Sequence, residues 1–133
     1  MATGKRAQMV EETRGKLIAA ARKAFAEKGY AASSMDELTA EAGLTRGALY
    51  HNFGDKKGLL QAVVDQIDAE MLARTRAASR EAETLWLRFV TEGVAYIEMA
   101  LEPEIQRIML LDGPAVLGEP ANLPNQTDFL PRL

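Results

Sequence analysis

The stretch GLTRGALYHNFGDKK, residues 43–57, constrains the fold more than any other part of the chain. Gly43 admits the left-handed backbone that ends a helix and turns a sharp corner. Thr45 is an N-cap for the next helix, with Leu44 before it and Leu49 beyond it placed as a hydrophobic staple. Leu49 and Phe53, spaced i and i+4, give that helix one buried stripe. Gly54 ends it and Asp55 caps another. A chain that stops, turns and restarts in so few residues builds short helices around corners.

The flanking sequence extends this pattern. Leu17, Ala21, Ala24, Phe25 and the stem of Lys28 recur at three and four, which predicts an amphipathic helix from about Glu11 to Lys28, stopped by Gly29. Ser34 is placed to cap a second helix, with Glu37 reaching back in a capping box and Met35, Leu38 and Ala42 facing inward. A long fourth helix is expected from about Lys56 through Leu59, Leu60, Val63, Ile67 and Leu72 toward Ala78. Residues 82–101 carry Leu85, Trp86, Phe89, Val90, Val94, Ile97 and Leu101 around much of the circumference, the pattern of a mostly buried helix. Pro103 suits the first turn of another, reaching about Leu111. Past Gly113 the chain holds four of its five prolines and no helical period, so loop or disorder is expected there. There is no strand pattern.

The fold class is therefore all-α. A three-helix helix-turn-helix domain occupies residues 1–60, a long fourth helix joins it to an incomplete helical C-terminal domain at 61–118, and an irregular tail fills 119–133.

Charge is unevenly divided along this framework. Residues 1–60 hold 10 Lys and Arg against 7 Asp and Glu, whereas residues 61–133 hold 6 against 12. The basic part is where a polyanion would bind. In a helix-turn-helix the second helix enters the major groove by its N-terminal end, and helix starts present free N–H groups to phosphate. Ser33 and Ser34 stand at one start, Thr45 at the next, Lys56 and Lys57 at a third. Cations in a first helical turn oppose the macrodipole by a few tenths to about 1 kcal/mol, so stability alone would not place the lysines there; a bound phosphate reverses that sign. Arg46, Gly47, Tyr50 and His51 fall away from the Leu49–Phe53 stripe, and Gly47 lets a helix backbone approach DNA closely. Lys5 and Arg6 are candidates for a flexible minor-groove arm.

Composition removes several other functions. With no cysteine and only His51, neither a disulfide framework, a thiolate site nor a histidine metal cluster can form, and no metal or cofactor is expected. No run approaches the roughly 20 apolar residues of a membrane span, and a cytoplasmic location is expected. There is no P-loop, dinucleotide fingerprint or nucleophile with its base, so an enzyme is not expected, and Glu98, Glu102 and Glu104 read as solvated helix charges. A rival reading is a helical ligand-binding or interaction module resting on Trp86, Phe89, Tyr96 and Met99, without DNA binding.

The run FAEKGYAASSMDELTAEAGLTRGALYHNFGDKKGLL, Phe25 to Leu60, resembles the DNA-binding domain of the TetR family of bacterial transcriptional regulators. The match follows the family's Phe, Gly-Tyr, Ser/Thr pair, Ala-Gly, capping hydroxyl, Gly, Leu-Tyr, aromatic, Lys and Leu, departing where Gly54 replaces a frequent proline and Thr39 a frequent alanine. The resemblance implies a sequence-specific repressor on double-stranded operator DNA, a homodimer released by a small-molecule inducer whose binding residues are unknown. It implies phosphate contacts at Ser33, Ser34 and Lys56, and a recognition surface of Thr45, Arg46, Gly47, Tyr50 and His51. Family members usually carry more helices, so a truncated or frameshifted regulator is an alternative, with family sequence expected to end near Gly118.

Overall fold

Leu17, Ala21 and Phe25 lie along one face of α1 (Lys5–Lys28) and are fully shielded from solvent. The computed structural model describes residues 4–118, and its regular elements are all helical. Around α1 are packed α2 (Met35–Ala42), α3 (Arg46–Phe53) and α4 (Lys56–Ser79), followed by α5 (Leu85–Ala100) and α6 (Pro103–Ile105). From α6 the chain continues as a π-helical segment, Gln106–Asp112, into α7 (Gly113–Leu117). No helix among the described residues is long and apolar enough to cross a membrane.

The short helices begin and end where local chemistry directs. Ser34 Oγ accepts from the Glu37 N–H at 3.3 Å, Thr45 Oγ1 from Ala48 at 3.2 Å, and Asp55 Oδ1 from Gly58 at 2.7 Å. The capping box is only half made, because the Glu37 carboxylate pairs with Lys28 at 3.1 Å instead of returning to the cap. After α2, Gly43 sits at φ 69°, ψ 31°; its N–H reaches Ala40 O and the Leu44 N–H reaches Thr39 O. This is a Schellman ending, and the positive φ explains the glycine. Leu38 and Leu49 then enter the same cluster as Leu17, Phe25, Leu59, Leu60 and Val63. Arg14 fastens the far end of α3, donating to Asn52 O at 3.0 Å while its guanidinium stands 4.6 Å from the Phe53 ring centre.

The core is continuous along the molecule. Ile67 and Met71 carry it along α4 to Met99, Ile105 and Ile108. Arg22 ties three elements together on one side, bonding Glu104 at 2.7 and 3.0 Å, Gln66 at 3.0 Å and Glu70 at 2.7 Å. Its proton is held more firmly than an ordinary arginine's, first by Glu70 and then by Glu104, and the Glu70 carboxyl is correspondingly lowered. That contribution is full above the ordinary glutamate pKa and is lost as pH falls through the lower folded value.

Four expectations are corrected. α1 begins at Lys5, so Lys5 and Arg6 belong to its first turn and form no arm. Met71, not Leu72, continues the buried stripe of α4; Leu72 is 51% exposed. Helix α5 forms, but its apolar face is not buried: Leu85, Trp86, Phe89, Val90, Val94, Ile97 and Leu101 are exposed, and Met99 is its one buried residue. Residues 113–117 are helical: α7 continues from the π-helical segment, whose widened turn accommodates the ring and missing N–H of Pro114. The irregular tail expected at 119–133 lies outside the described residues.

Two outcomes follow from this packing. Thr45→Ala should lower stability by about 1 kcal/mol through its cap, and Leu49→Ala by about 2–5 kcal/mol through its cavity, both read from denaturant unfolding. Trp86, the single tryptophan, is 70% exposed in the single chain; at dilutions where the chain is monomeric its emission should match indole in water and be quenched freely by iodide, and a shielded, blue-shifted emission from the monomer would contradict the open α5 face.

Candidate nucleic-acid interface

The starts of α2 and α3 touch directly, and the start of α4 rests on the corner that leads into α2. From the first turn of α2, Asp36 Oδ1 lies 3.3 Å from Arg46 Nε, at the first position of α3. The Lys56 ammonium, at the first position of α4, rests 4.3 Å above the ring of Tyr30, a few residues before the α2 cap. Three sets of N-terminal N–H groups, each with a partial positive charge, thus share one region of the surface.

Arg46 reaches along α3 to the Tyr50 hydroxyl at 3.5 Å, with its guanidinium 5.9 Å from the Tyr50 ring centre. Its proton is held more tightly than usual, by Tyr50 first and Asp36 second. All three groups are exposed, so these contacts are worth little in water and are readily exchanged for a base edge or a phosphate. Thr45, Gly47, His51 and Lys57 are also exposed, and among the described residues Lys57 has no carboxylate partner within ion-pair distance. Gly47 is informative because a β-carbon there would meet only Thr45 Oγ1, at 3.7 Å. Nothing among the described residues requires glycine there, although it weakens a helix by up to about 1 kcal/mol relative to alanine.

Lys56 is half-buried, and the loss of water lowers its pKa from the ordinary lysine value. One side of the ammonium faces the Tyr30 π-cloud, which leaves N–H donors for a phosphate. Burial raises the Tyr30 phenol, with the Asp55 carboxylate adding to the shift. A β-carbon on Gly58 would fall 2.0 Å from Phe53 O, so this glycine allows α4 to start directly against the end of α3.

Of the residues singled out from the sequence, Ser34, Thr45, Arg46, Gly47, Lys56 and Lys57 lie at these helix starts, while Tyr50 and His51 lie farther along α3, His51 in its last turn. Ser33 is a correction. Its side chain is buried and its hydroxyl donates to Gly29 O at 2.7 Å, so it fastens the turn from within and offers phosphate no hydroxyl. Tyr30, Met9, Val10 and Thr13 were not singled out from the sequence. Tyr30, signalled only by its place after Gly29, seats Lys56, while Met9, Val10 and Thr13 of α1, with Arg6, form one wall of a groove whose other wall is Gly47, Ala48, His51 and Asn52. No group of three His, Asp or Glu among the described residues is arranged to hold a metal ion.

Comparison with known proteins covers both halves of the chain. Residues 17–63 match the model of the bacterial regulatory proteins of the tetR family, and residues 86–132 match a tetracyclin repressor-like C-terminal domain. The second match continues to residue 132, which overturns the expectation that family sequence ends near residue 118. The regulator TtgR of Pseudomonas putida is 32% identical over 100 residues, covering 74% of this chain and 48% of that protein. The TetC protein of transposon Tn10 from Escherichia coli is 46% identical over 63 residues, 44% of this chain and 32% of its own. A crystal structure of a TetR-family transcriptional regulator from Pectobacterium atrosepticum superposes with a TM-score of 0.78 at 63% identity, over 89% of this chain and 61% of that one. The chain spans about half the length of the first curated relatives it matches.

Gly47→Ala separates the demands of the helix from those of a ligand. It should raise stability by a few tenths to about 1 kcal/mol and weaken duplex binding. A more stable variant that bound DNA unimpaired would remove the reason offered for this glycine.

Proposed function

The chain belongs to the TetR family of bacterial transcriptional regulators, and from that premise we propose that residues 1–60 grip operator DNA while residues 61–118 regulate the grip. The observation that carries the reading is the meeting of three helix starts, joined through Asp36–Arg46 and Tyr30–Lys56, in the basic half of an otherwise acidic chain. The N-terminal part of α3 enters the major groove. Arg46 leaves Asp36 for a base edge, with Gly47, Tyr50 and His51 along the same surface, while Ser34, Thr45, Lys56, Lys57 and the open N–H groups hold backbone phosphates.

Repression, release by a small-molecule inducer and pairing of two copies belong to the same proposal. They rest on the family and on the exposed apolar face of α5, which a lone helix in water would not favour. An interaction module that never touches DNA would explain that face equally well, but not the lysines in the first turn of α4 or the glycine in α3.

Duplexes recovered from a random pool provide the test. Binding should weaken steeply with salt, and Lys56→Ala should weaken every duplex alike while reducing the salt slope by about 0.9. Arg46→Ala should instead relax sequence preference, by about 1–3 kcal/mol at the base it reads. Unchanged binding by Lys56→Ala would defeat the phosphate assignment.

A further inference from the structure

Lys56 is seated on Tyr30, and Tyr30 is held from the far half of the molecule. Its backbone N–H donates to Asp112 Oδ2 at 2.9 Å, and its ring lies 5.5 Å from that of the buried Phe25. Arg107 Nη2 donates to Lys28 O at 3.0 Å, while its Nε stands 3.8 Å from the same Asp112 oxygen. Together the two side chains clasp the Lys28–Tyr30 corner, where Gly29 has φ +86° and a β-carbon would fall 2.1 Å from the Arg107 guanidinium.

The clasp depends on the π-helical segment. Residues five apart in an α-helix point about 140° away from each other, whereas the wider π turn, closed by i to i+5 bonds, brings them near one face. Arg107 and Asp112 are five apart in such a segment, and the Gly113 N–H bonds Ile108 O, again five residues back. Pro114 has no N–H and would clash with the carbonyl four residues before it in a continuous α-helix, which accounts for the widened turn.

We propose that Arg107 and Asp112 are positioning residues for DNA binding: from the π-helical segment they fix the Lys28–Tyr30 corner and so set the seat of the Lys56 ammonium. The inference rests on Lys56 contacting phosphate, as in the reading above. It assigns a defined task to residues far from the duplex in sequence, and it makes the register of one helical turn a determinant of affinity. Released from Asp112, Tyr30 no longer presents its ring under Lys56, and the lysine loses its fixed direction.

A double-mutant cycle between Asp112→Ala and Lys56→Ala in the full chain tests this, using one pool-selected duplex and one random-sequence duplex of equal length. Circular dichroism establishes that each variant is folded. Asp112→Ala should weaken both duplexes alike, by about three- to tenfold, and lower the salt slope by up to about 0.9; Asp112→Asn, whose amide oxygen still accepts from Tyr30, should recover most of the loss. In the Lys56→Ala background Asp112→Ala should change neither quantity. An equal loss in both backgrounds, or no loss in either, overturns the positioning role while leaving Lys56 in place. A Lys56→Ala chain that binds as well as the parent removes the phosphate reading itself, and this inference with it.

Discussion

Two helices of eight residues, α2 and α3, are too short to persist in water by themselves, since isolated helices below about 12–15 residues are marginal. They exist because Leu38 and Leu49 are driven into a cluster that α1 and α4 hold ready, formed by Leu17, Phe25, Leu59, Leu60 and Val63. Each short helix contributes a single fully buried leucine, flanked by partly buried Met35 and Ala42 in α2 and Phe53 in α3, and keeps its opposite face wet. The arrangement therefore frees almost a whole helix face at α3 for contact with something outside the chain. The caps then decide where each helix begins, and hence where the N–H groups point.

Seen from that constraint, the surface around the helix starts is organised against the interest of the isolated fold. Lys56 and Lys57 oppose the dipole of α4, and Gly47 loosens α3 where the chain has no steric need for it. Asp36 holds Arg46 and Tyr30 holds Lys56 in the free protein, contacts weak enough to be exchanged and specific enough to limit where each cation waits. The interior is organised differently. Arg22 spends its donors on Gln66, Glu70 and Glu104, and so locks α1 against α4 and α6. Rigid cross-bracing behind a loosely held charged surface suits a head that must keep its shape while its side chains find a duplex.

What the sequence made legible was local. Ser34, Thr45 and Asp55 could be read as caps because a cap is settled within four residues, and the Leu49–Phe53 stripe because it spans a single turn. Periodicity loses phase with length: over the 24 residues of α4 the stripe that the sequence places at Leu72 falls one position earlier, at Met71. The burial of the neighbouring Ser33 was not legible, since it depends on Gly29 O across the turn. For α5, hydrophobicity said that the helix wants cover, but periodicity does not say what supplies it. The π-helical segment has no periodic signature of its own, and the seat of Lys56 on Tyr30 is a tertiary contact.

The account turns on whether one duplex meets all three helix starts at once. Amide hydrogen exchange of the chain, with and without a bound pool-selected duplex, addresses this directly. The account predicts that added protection is concentrated at residues 35–37, 46–48 and 56–58, with α5 unaltered. Protection confined to α5, or absent from any one of the three helix starts, would contradict it.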